Sequence, residues 1–139
     1  MDRLWGAECD PKSMNPLALA FVGDGVFELL VREKLCCESR LPVSALHRQA
    51  VEQVCARRQA EDGRRLQSLL TEEEQEVYRR GRNARVHHVP KNAAVADYHA
   101  ATALEALFGY LFLNGEEKRI QELFRNILEH EESPENQEA

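Results

Sequence analysis

The sequence predicts an all-α fold of six to seven helices. Apolar residues recur at helical spacing in several segments, and recognisable helix start and stop signals separate those segments. No segment of useful length alternates between apolar and polar residues as a strand would. The chain has 139 residues, of which 43% are hydrophobic and 30% charged. This composition is typical of a single globular domain with a real core.

The first half of the chain is predicted to form three helices. An Asn-Pro pair supplies a cap and a first-turn proline for a helix over residues 15–35. A Leu-Pro break precedes a second helix, expected over residues 44–61 with a serine as its cap. An Asp-Gly pair is expected to interrupt the chain there, before a short helix over residues 64–70.

The second half is predicted to form three more helices. A capping box opens a helix over residues 71–78 that frays or turns at Gly81. Residues 87–92 form a loop, because the proline within them disfavours a helical residue before it. An alanine-rich helix follows over residues 92–113 and ends at an Asn-Gly pair. The last helix covers residues 116–130.

The chain is expected to consist of one folded domain, over residues 14–130, between two loose ends. Residues 1–13 are predicted to be a flexible leader and residues 131–139 a disordered acidic tail. No apolar run approaches the roughly 20 residues of a membrane span. The start has no signal-peptide pattern, and the four cysteines suit neither a disulfide framework nor a zinc site. We therefore expect a cytoplasmic protein with reduced thiols and no membrane partner.

The net charge of −6 conceals an uneven distribution. Residues 116–139 contain eight acidic and three basic residues, so the rest of the chain is nearly balanced. Within that rest, residues 79–91 (RRGRNARVHHVPK) contain five arginines or lysines, two histidines and no acid. The net charge therefore does not exclude a nucleic-acid partner, and this segment favours one.

Two acidic residues stand on helix faces that are otherwise apolar. In the first helix, Asp24 shares a face with Ala20 and Val31, and in the alanine-rich helix Glu105 shares one with Phe108. Burying an ionised carboxylate without a partner costs several kcal/mol. We therefore expect the two acids to meet and to share a divalent cation. Carboxylate oxygens favour Mg²⁺ or Mn²⁺.

Three glycines accompany these acids and fit a close crossing of the two helices. Gly23 and Gly25 flank the aspartate, and Gly109 lies one turn beyond the glutamate. Each costs about 1 kcal/mol of helix propensity relative to alanine, so a packing gain is expected. The alternative is that each carboxylate pairs with a core arginine or histidine, for which His47 and His99 are available.

Four ordered motifs resemble one family of nucleases. FVGDGVFELLV resembles the signature helix of the ribonuclease III endonuclease domain, and ATALEALFGYLFL resembles its second acidic helix. The order and spacing of NPLALAFVGD, RGRNA, VPKNA and LEALFGYLFL are more similar still to the short Mini-ribonuclease III subfamily, which lacks a separate double-stranded-RNA-binding domain. The resemblance covers about residues 14–130 and implies the helical ribonuclease III fold in a two-fold homodimer.

The resemblance also implies an activity. It indicates a Mg²⁺-dependent endonuclease, with Mn²⁺ as a possible substitute, that cuts both strands of double-stranded RNA. The role implied is trimming precursor large-subunit (23S) ribosomal RNA, with a ribosomal protein as a candidate helper. Only Asp24 and Glu105 carry over as catalytic and metal-binding residues. Ordinary ribonuclease III has further acids where this chain has Leu17, Ala20 and Thr102.

Other residues are candidates for binding and support. Thr102 and His47 are candidates for supporting the site. Phe21, Phe27, Phe108 and Phe112 are candidates for the dimer core. The residues expected to contact phosphates or 2′-hydroxyl groups of RNA lie in one cationic segment: Arg79, Arg80, Arg82, Asn83, Arg85, Lys91 and Asn92.

Two other functions remain open at this point. The first is a catalytically inert ribonuclease III-like domain that binds structured RNA during ribosome assembly. The second is an all-α metal-dependent nucleotide pyrophosphatase, whose metal helices usually carry several clustered glutamates. The one comparable cluster here, Glu72 to Glu74, already serves as a helix start.

Overall fold

The computed structural model describes residues 3–85, 89, 91 and 94–131. In this part of the chain the fold is all-α, which confirms the prediction. Two short 3-10 helices, Pro11–Ser13 and Gln67–Leu69, accompany the six α-helices. These are α1 (Pro16–Glu38), α2 (Val43–Val54), α3 (Ala56–Leu66), α4 (Glu72–Arg82), α5 (Val95–Leu113) and α6 (Glu117–Glu131).

Helix α5 is the centre of the domain. It is apolar on every side, and its residues from Ala100 to Leu111 are buried except Glu105. Helices α1, α3 and α4 pack directly on it, while α2 lies on α1. A helix without a polar face cannot lie at the surface, so the sequence of α5 requires neighbours around it.

Helices α1 and α5 cross at backbone contact. A Cβ atom on Gly23 would lie 1.6 Å from the carbonyl oxygen of Glu105, and one on Gly109 would lie 1.9 Å from that of Leu19. Both glycines are therefore required by packing, as the sequence indicates. Gly25 is not, because a Cβ there would meet nothing within 4 Å. The expectation for Gly25 is wrong, since it faces away from α5.

The middle of the chain departs from the prediction at two points. The helix expected over residues 44–61 breaks at Cys55, whose backbone is extended, and it restarts in the new direction of α3. The expected interruption at Asp62 and Gly63 does not occur, since both are buried inside α3. Packing overrides the local signal here, because the Cβ position of Gly63 is 2.8 Å from the hydroxyl oxygen of Tyr78.

The capping box at the start of α4 is confirmed and has a second function. The Thr71 amide donates to Glu74 Oε1 at 2.9 Å, and the Glu74 amide donates to Thr71 Oγ1 at 3.2 Å. Arg119 of α6 binds both carboxylate oxygens of Glu74 at 2.8 Å. Burial works to raise the pKa of Glu74, but the bonds from Arg119 and Thr71 outweigh it and hold the pKa below its usual range. The cap thus ties α6 to α4.

The segment before α1 has one firmly held residue. Arg3 is 5% exposed, donates to the Phe112 carbonyl and forms an ion pair with Glu117 at 3.0 Å. Its guanidinium also lies over the Phe112 ring, 5.4 Å from the centroid. The next two side chains, Leu4 and Trp5, are 85% and 78% exposed. Part of the predicted leader is therefore anchored on α5 and α6, while most of the predicted tail lies outside the described residues.

No helix of the described region combines the length and the apolar character that crossing a membrane takes.

The helix crossing gives a matched pair of substitutions. Gly23→Ala should lower the free energy of unfolding by about 3 kcal/mol or more, because the added methyl group overlaps backbone atoms of α5. Gly25→Ala should leave it equal or raise it by up to about 1 kcal/mol, through helix propensity alone. Urea denaturation at equal protein concentrations measures both. Equal losses in the two variants would contradict the crossing described here.

Candidate active site

The two predicted acids occupy different environments at the α1–α5 crossing. Glu105 is half-buried and is the one break in the buried stretch of α5. Asp24 is exposed, so the expectation that it projects from the buried face of α1 is wrong. Its neighbour Gly23 faces α5 instead, and Asp24 therefore stands at the edge of the crossing, where solvent reaches it.

The structure brings Asp24 and Glu105 together. The two carboxyl groups are in hydrogen-bonding contact, and the raised pKa of Glu105 makes its carboxyl group the donor. The pKa of Glu105 rises to about 8, first because burial disfavours its charged form and then because of the hydrogen bond and the negative charge of Asp24. At neutral pH the Glu105 carboxyl group is therefore largely protonated.

Neither acid has a basic partner in the part of the chain that the structure describes. No lysine, arginine or histidine there forms an ion pair with Asp24 or Glu105. Glu28, one turn beyond Asp24, pairs with Arg32 at 3.0 Å and is not a third member. The geometry therefore does not support the alternative in which each carboxylate pairs with its own arginine or histidine.

The donor set fits a hard divalent cation. Two carboxylates held together, with the charge of one suppressed by the other, have an unmet demand for positive charge. Mg²⁺ is usually bound by one or two carboxylates and keeps several water ligands. Among the described residues no group of three or more His, Cys, Asp or Glu side chains could hold a metal. The rest of the coordination shell would therefore come from water or from the substrate.

The two candidate supporting residues have neighbours of their own. Thr102 is 7% exposed, and its hydroxyl donates to the Tyr98 carbonyl at 2.9 Å, within its own helix. His47 is exposed and lines a groove between α1 and α2 with Arg32 and Cys36, two to three turns beyond Asp24. Among the described residues, no hydrogen bond joins either side chain to Asp24 or Glu105.

The predicted RNA-binding residues divide into engaged and available side chains. Arg79 is engaged with Glu76 through two hydrogen bonds of 3.1 and 2.6 Å. Arg80 is half-buried and donates to the Met14 carbonyl at 3.1 Å, which holds the chain entering α1. Four others are exposed and Asn92 lies outside the described residues. The exposed four are Arg82, Asn83, Arg85 and Lys91.

The four phenylalanines expected in a dimer core do not share one environment. Phe27 and Phe108 are 1% and 0% exposed and pack edge to face, 5.4 Å apart, inside the protomer. The expectation for these two is wrong, because the protomer core already buries them. Phe112 is half-buried under Arg3, whereas Phe21 is 83% exposed.

An apolar groove on the outer side of α1 was not predicted from the sequence. It has a volume of about 410 Å³ and lies between α1, α6 and the segment before α1. Helix α1 is apolar on two sides, so the spacing of its residues gives no signal for which side is free. The lining of the groove includes Leu4, Val22, Val26, Leu29, Phe112 and Ile120.

Comparison with known proteins places this chain in a class. Residues 17–116 match the family model described as the ribonuclease III domain. The chain belongs to the ribonuclease III family and is an endoribonuclease of that family.

The relatives narrow this class to a subfamily. The Mini-ribonuclease 3 of Thermoanaerobacter sp. is 45% identical over 84% of this chain and 80% of its own length. The Mini-ribonuclease 3 of Symbiobacterium thermophilum is 45% identical over 84% of this chain and 89% of its own. A protein of Fusobacterium nucleatum with a known crystal structure is 27% identical, covers 86% of this chain and 96% of its own, and superposes with a TM-score of 0.78.

The raised pKa of Glu105 predicts that the metal-free protein loses stability as the pH rises. The unfolded chain releases the Glu105 proton near its ordinary pKa of 4.5, but the folded chain retains it until about pH 8. Unfolding therefore becomes more favourable between these values. Glu105→Gln should raise the free energy of unfolding by about 1–3 kcal/mol at pH 8.5 and by little at pH 4.5.

Urea denaturation in the presence of a chelator at the two pH values measures this effect. Glu52→Gln is the control, since Glu52 is an exposed carboxylate on α2. The pair described here would be refuted if Glu105→Gln and Glu52→Gln changed stability equally at pH 8.5.

Proposed function

We propose that this protein is a Mg²⁺-dependent endonuclease that cleaves double-stranded RNA as a two-fold dimer. The observation that carries the proposal is the convergence of Asp24 and Glu105 at a solvent-accessible edge, with no basic partner among the described residues. Membership of the ribonuclease III family supports RNA as the substrate. The two acids are the catalytic and metal-binding residues of the proposal.

Asp24 and Glu105 would hold Mg²⁺, with Mn²⁺ as a substitute, through their carboxylate oxygens. When bound, the cation supplies a more acidic water for hydrolysis and offsets negative charge on the phosphodiester. Glu105 must give up its proton for this, so cation uptake near neutral pH releases a proton from its carboxyl group. The exposure of Asp24 leaves the pair open on the side from which a duplex would approach.

The available side chains of the cationic segment supply the affinity for RNA. Arg82, Asn83, Arg85 and Lys91 are exposed, and they follow one another at the end of α4 and beyond it. Contacts between such residues and phosphates or 2′-hydroxyl groups recognise the shape of an A-form duplex and not its bases. In this proposal Arg79 and Arg80 contribute less, because Glu76 and the Met14 carbonyl already engage them.

A two-fold dimer is the form in which one catalytic pair per chain can address both strands. The outer side of α1 supports this, since Phe21 and Leu29 are 83% and 59% exposed beside the apolar groove. Large exposed apolar patches commonly mark interfaces between proteins. An isologous contact through α1 would set two catalytic pairs about one axis, which suits the approximate dyad of a duplex.

Precursor large-subunit (23S) ribosomal RNA in the cytoplasm is the natural substrate that we propose. The cationic segment itself offers few phosphate contacts, since only three of its described arginine and lysine side chains are both exposed and not engaged with other residues. A ribosomal protein that shapes the RNA is therefore a fitting helper. The competing function is an inert RNA-binding domain in ribosome assembly, but the presence of both acids at one edge favours catalysis.

Cleavage of duplex RNA tests the function directly. Wild-type protein with Mg²⁺ should cut both strands, whereas Asp24→Asn and Glu105→Gln should each lose at least about 100-fold in rate. That is a typical cost of removing one charge-stabilising group at a reacting centre. Both variants should remain folded and bind RNA. Binding by the wild type without any cleavage, with Mg²⁺ or Mn²⁺ present, would select the inert alternative.

Sedimentation velocity tests the dimer. Leu29→Glu places a charge in the apolar groove and should raise the dimer dissociation constant by at least about 100-fold, since burying an unpaired charge costs several kcal/mol. Val51→Glu is the control, because Val51 is 50% exposed on α2 and does not line the groove. If Leu29→Glu dimerises like Val51→Glu, another surface forms the dimer.

A further inference from the structure

A second pocket, which we call the α3–α5 pocket, lies between α3, α4 and the first turns of α5. Its volume is about 370 Å³, and it does not include either catalytic acid. Its lining residues are Arg64, Gln67, Tyr78, Arg82, Asn83, Ala96, His99 and Ala100. Two guanidinium groups from different helices and several neutral polar groups therefore converge on one small space.

The charge of the pocket is positive. Arg64 pairs with Asp97 at 3.2 Å, which offsets part of its charge. Arg82 forms no ion pair with any residue of the described region. Burial raises the pKa of the Tyr78 hydroxyl, while Arg82 and Arg64 act to lower it, so both cations lie near that hydroxyl. With His99 as the remaining titratable group, the pocket holds two guanidinium groups against one carboxylate.

The first turn of α5 adds to the positive potential of the pocket. Ala94 caps the helix without a side-chain hydrogen bond, and Ala96 of the first turn lines the pocket. Uncapped amides and the dipole of a 19-residue helix favour an anion at this end.

Two polar groups of the pocket have unused hydrogen-bonding capacity. Tyr78 is 4% exposed, and its hydroxyl makes no hydrogen bond to another described residue. His99 is half-buried, and its Nδ1 atom likewise has no partner in the described part of the chain. The Nδ1 atom of His99 is itself buried, and buried polar atoms are rarely left without a partner in folded proteins. A ligand with several acceptor oxygens would satisfy the hydroxyl.

We propose that the α3–α5 pocket binds a phosphate group of the RNA backbone, away from the phosphodiester that is cut. The proposal rests on the RNA-cleaving function proposed above. His99 precedes Glu105 by six residues, which is about 9 Å along α5 and about a third of a turn around it. A phosphate held there fixes the position of the duplex relative to the catalytic pair, because Arg82 and Asn83 belong to both the pocket and the cationic segment.

Two charge-matched variants test the proposal. Arg64→Gln removes a cation of the pocket, whereas Arg57→Gln removes one from the same helix outside it. Each leaves one acid unpaired, Asp97 or Glu61, and each arginine is well exposed. In an Asp24→Asn background, Arg64→Gln should weaken duplex-RNA binding about 5- to 10-fold and reduce the salt dependence by about one phosphate contact. Arg57→Gln should change binding less than about 2-fold.

Tyr78→Phe tests the hydroxyl without changing charge. It should weaken RNA binding about 2- to 5-fold, as the loss of one hydrogen bond does, and leave the salt dependence unchanged. Equal RNA affinities for the Arg64→Gln and Arg57→Gln variants would overturn the proposal.

Inorganic phosphate gives a test that needs no RNA. Titrating phosphate into the RNA-free protein should shift the amide NMR signals of Ala96 and Asp97 in the wild type and not in Arg64→Gln. Phosphate binding with unchanged RNA affinity would assign the pocket to a free anion and overturn the RNA contact. If the wild type cuts RNA, but Arg64→Gln does not weaken RNA binding and phosphate does not shift the amide signals, the pocket alone is refuted. If the wild type neither binds nor cuts RNA but binds phosphate, the proposed function is refuted.

Discussion

The contact between the backbones of α1 and α5 is the constraint on which the rest of this structure depends. Gly23 rests against the carbonyl of Glu105, and Gly109 rests against that of Leu19. Because neither helix presents a side chain at the crossing, Asp24 and Glu105 come close enough to share a proton. Any larger residue at these glycines would separate the helices and with them the two carboxyl groups.

This arrangement sets stability against reactivity. The half-buried glutamate is kept neutral by burial and by its aspartate neighbour, so folding without a cation brings a protonated carboxyl group into the helix crossing. The central helix offsets the cost, since it is buried from Ala100 to Leu111 apart from the glutamate. Strain of this kind at a functional site is common where a ligand later relieves it.

The sequence predicts much of this fold because its signals are local. The capping box, the Asn-Pro start of α1 and the Asn-Gly end of α5 each act within one turn of helix, and all three are found. The convergence of the two acids was also expected, because an unpaired carboxylate on an apolar face is costly. Where a local signal and a buried contact conflict, as at Gly63, the contact decides.

The remaining differences between the sequence-based expectations and the structure have one physical origin. Helices α1 and α5 are apolar on several sides, so helical spacing does not reveal which side of α1 meets α5. For that reason Asp24 was expected to be buried, Gly25 to be packed and Phe27 to be available for a partner, none of which is the case. The sequence does not predict the α3–α5 pocket, because its residues come from several helices and share no motif.

The anchored segment before α1 has a practical consequence. Trp5 is the one tryptophan of the chain, and it is exposed to solvent. It follows Arg3, which binds the Phe112 carbonyl and Glu117, and Leu4, which lines the groove. The molecule thus carries an intrinsic fluorophore next to its apolar surface. Because Trp5 adjoins Leu4 of the groove, covering the groove changes the surroundings of the indole, so the emission spectrum can follow association without a label.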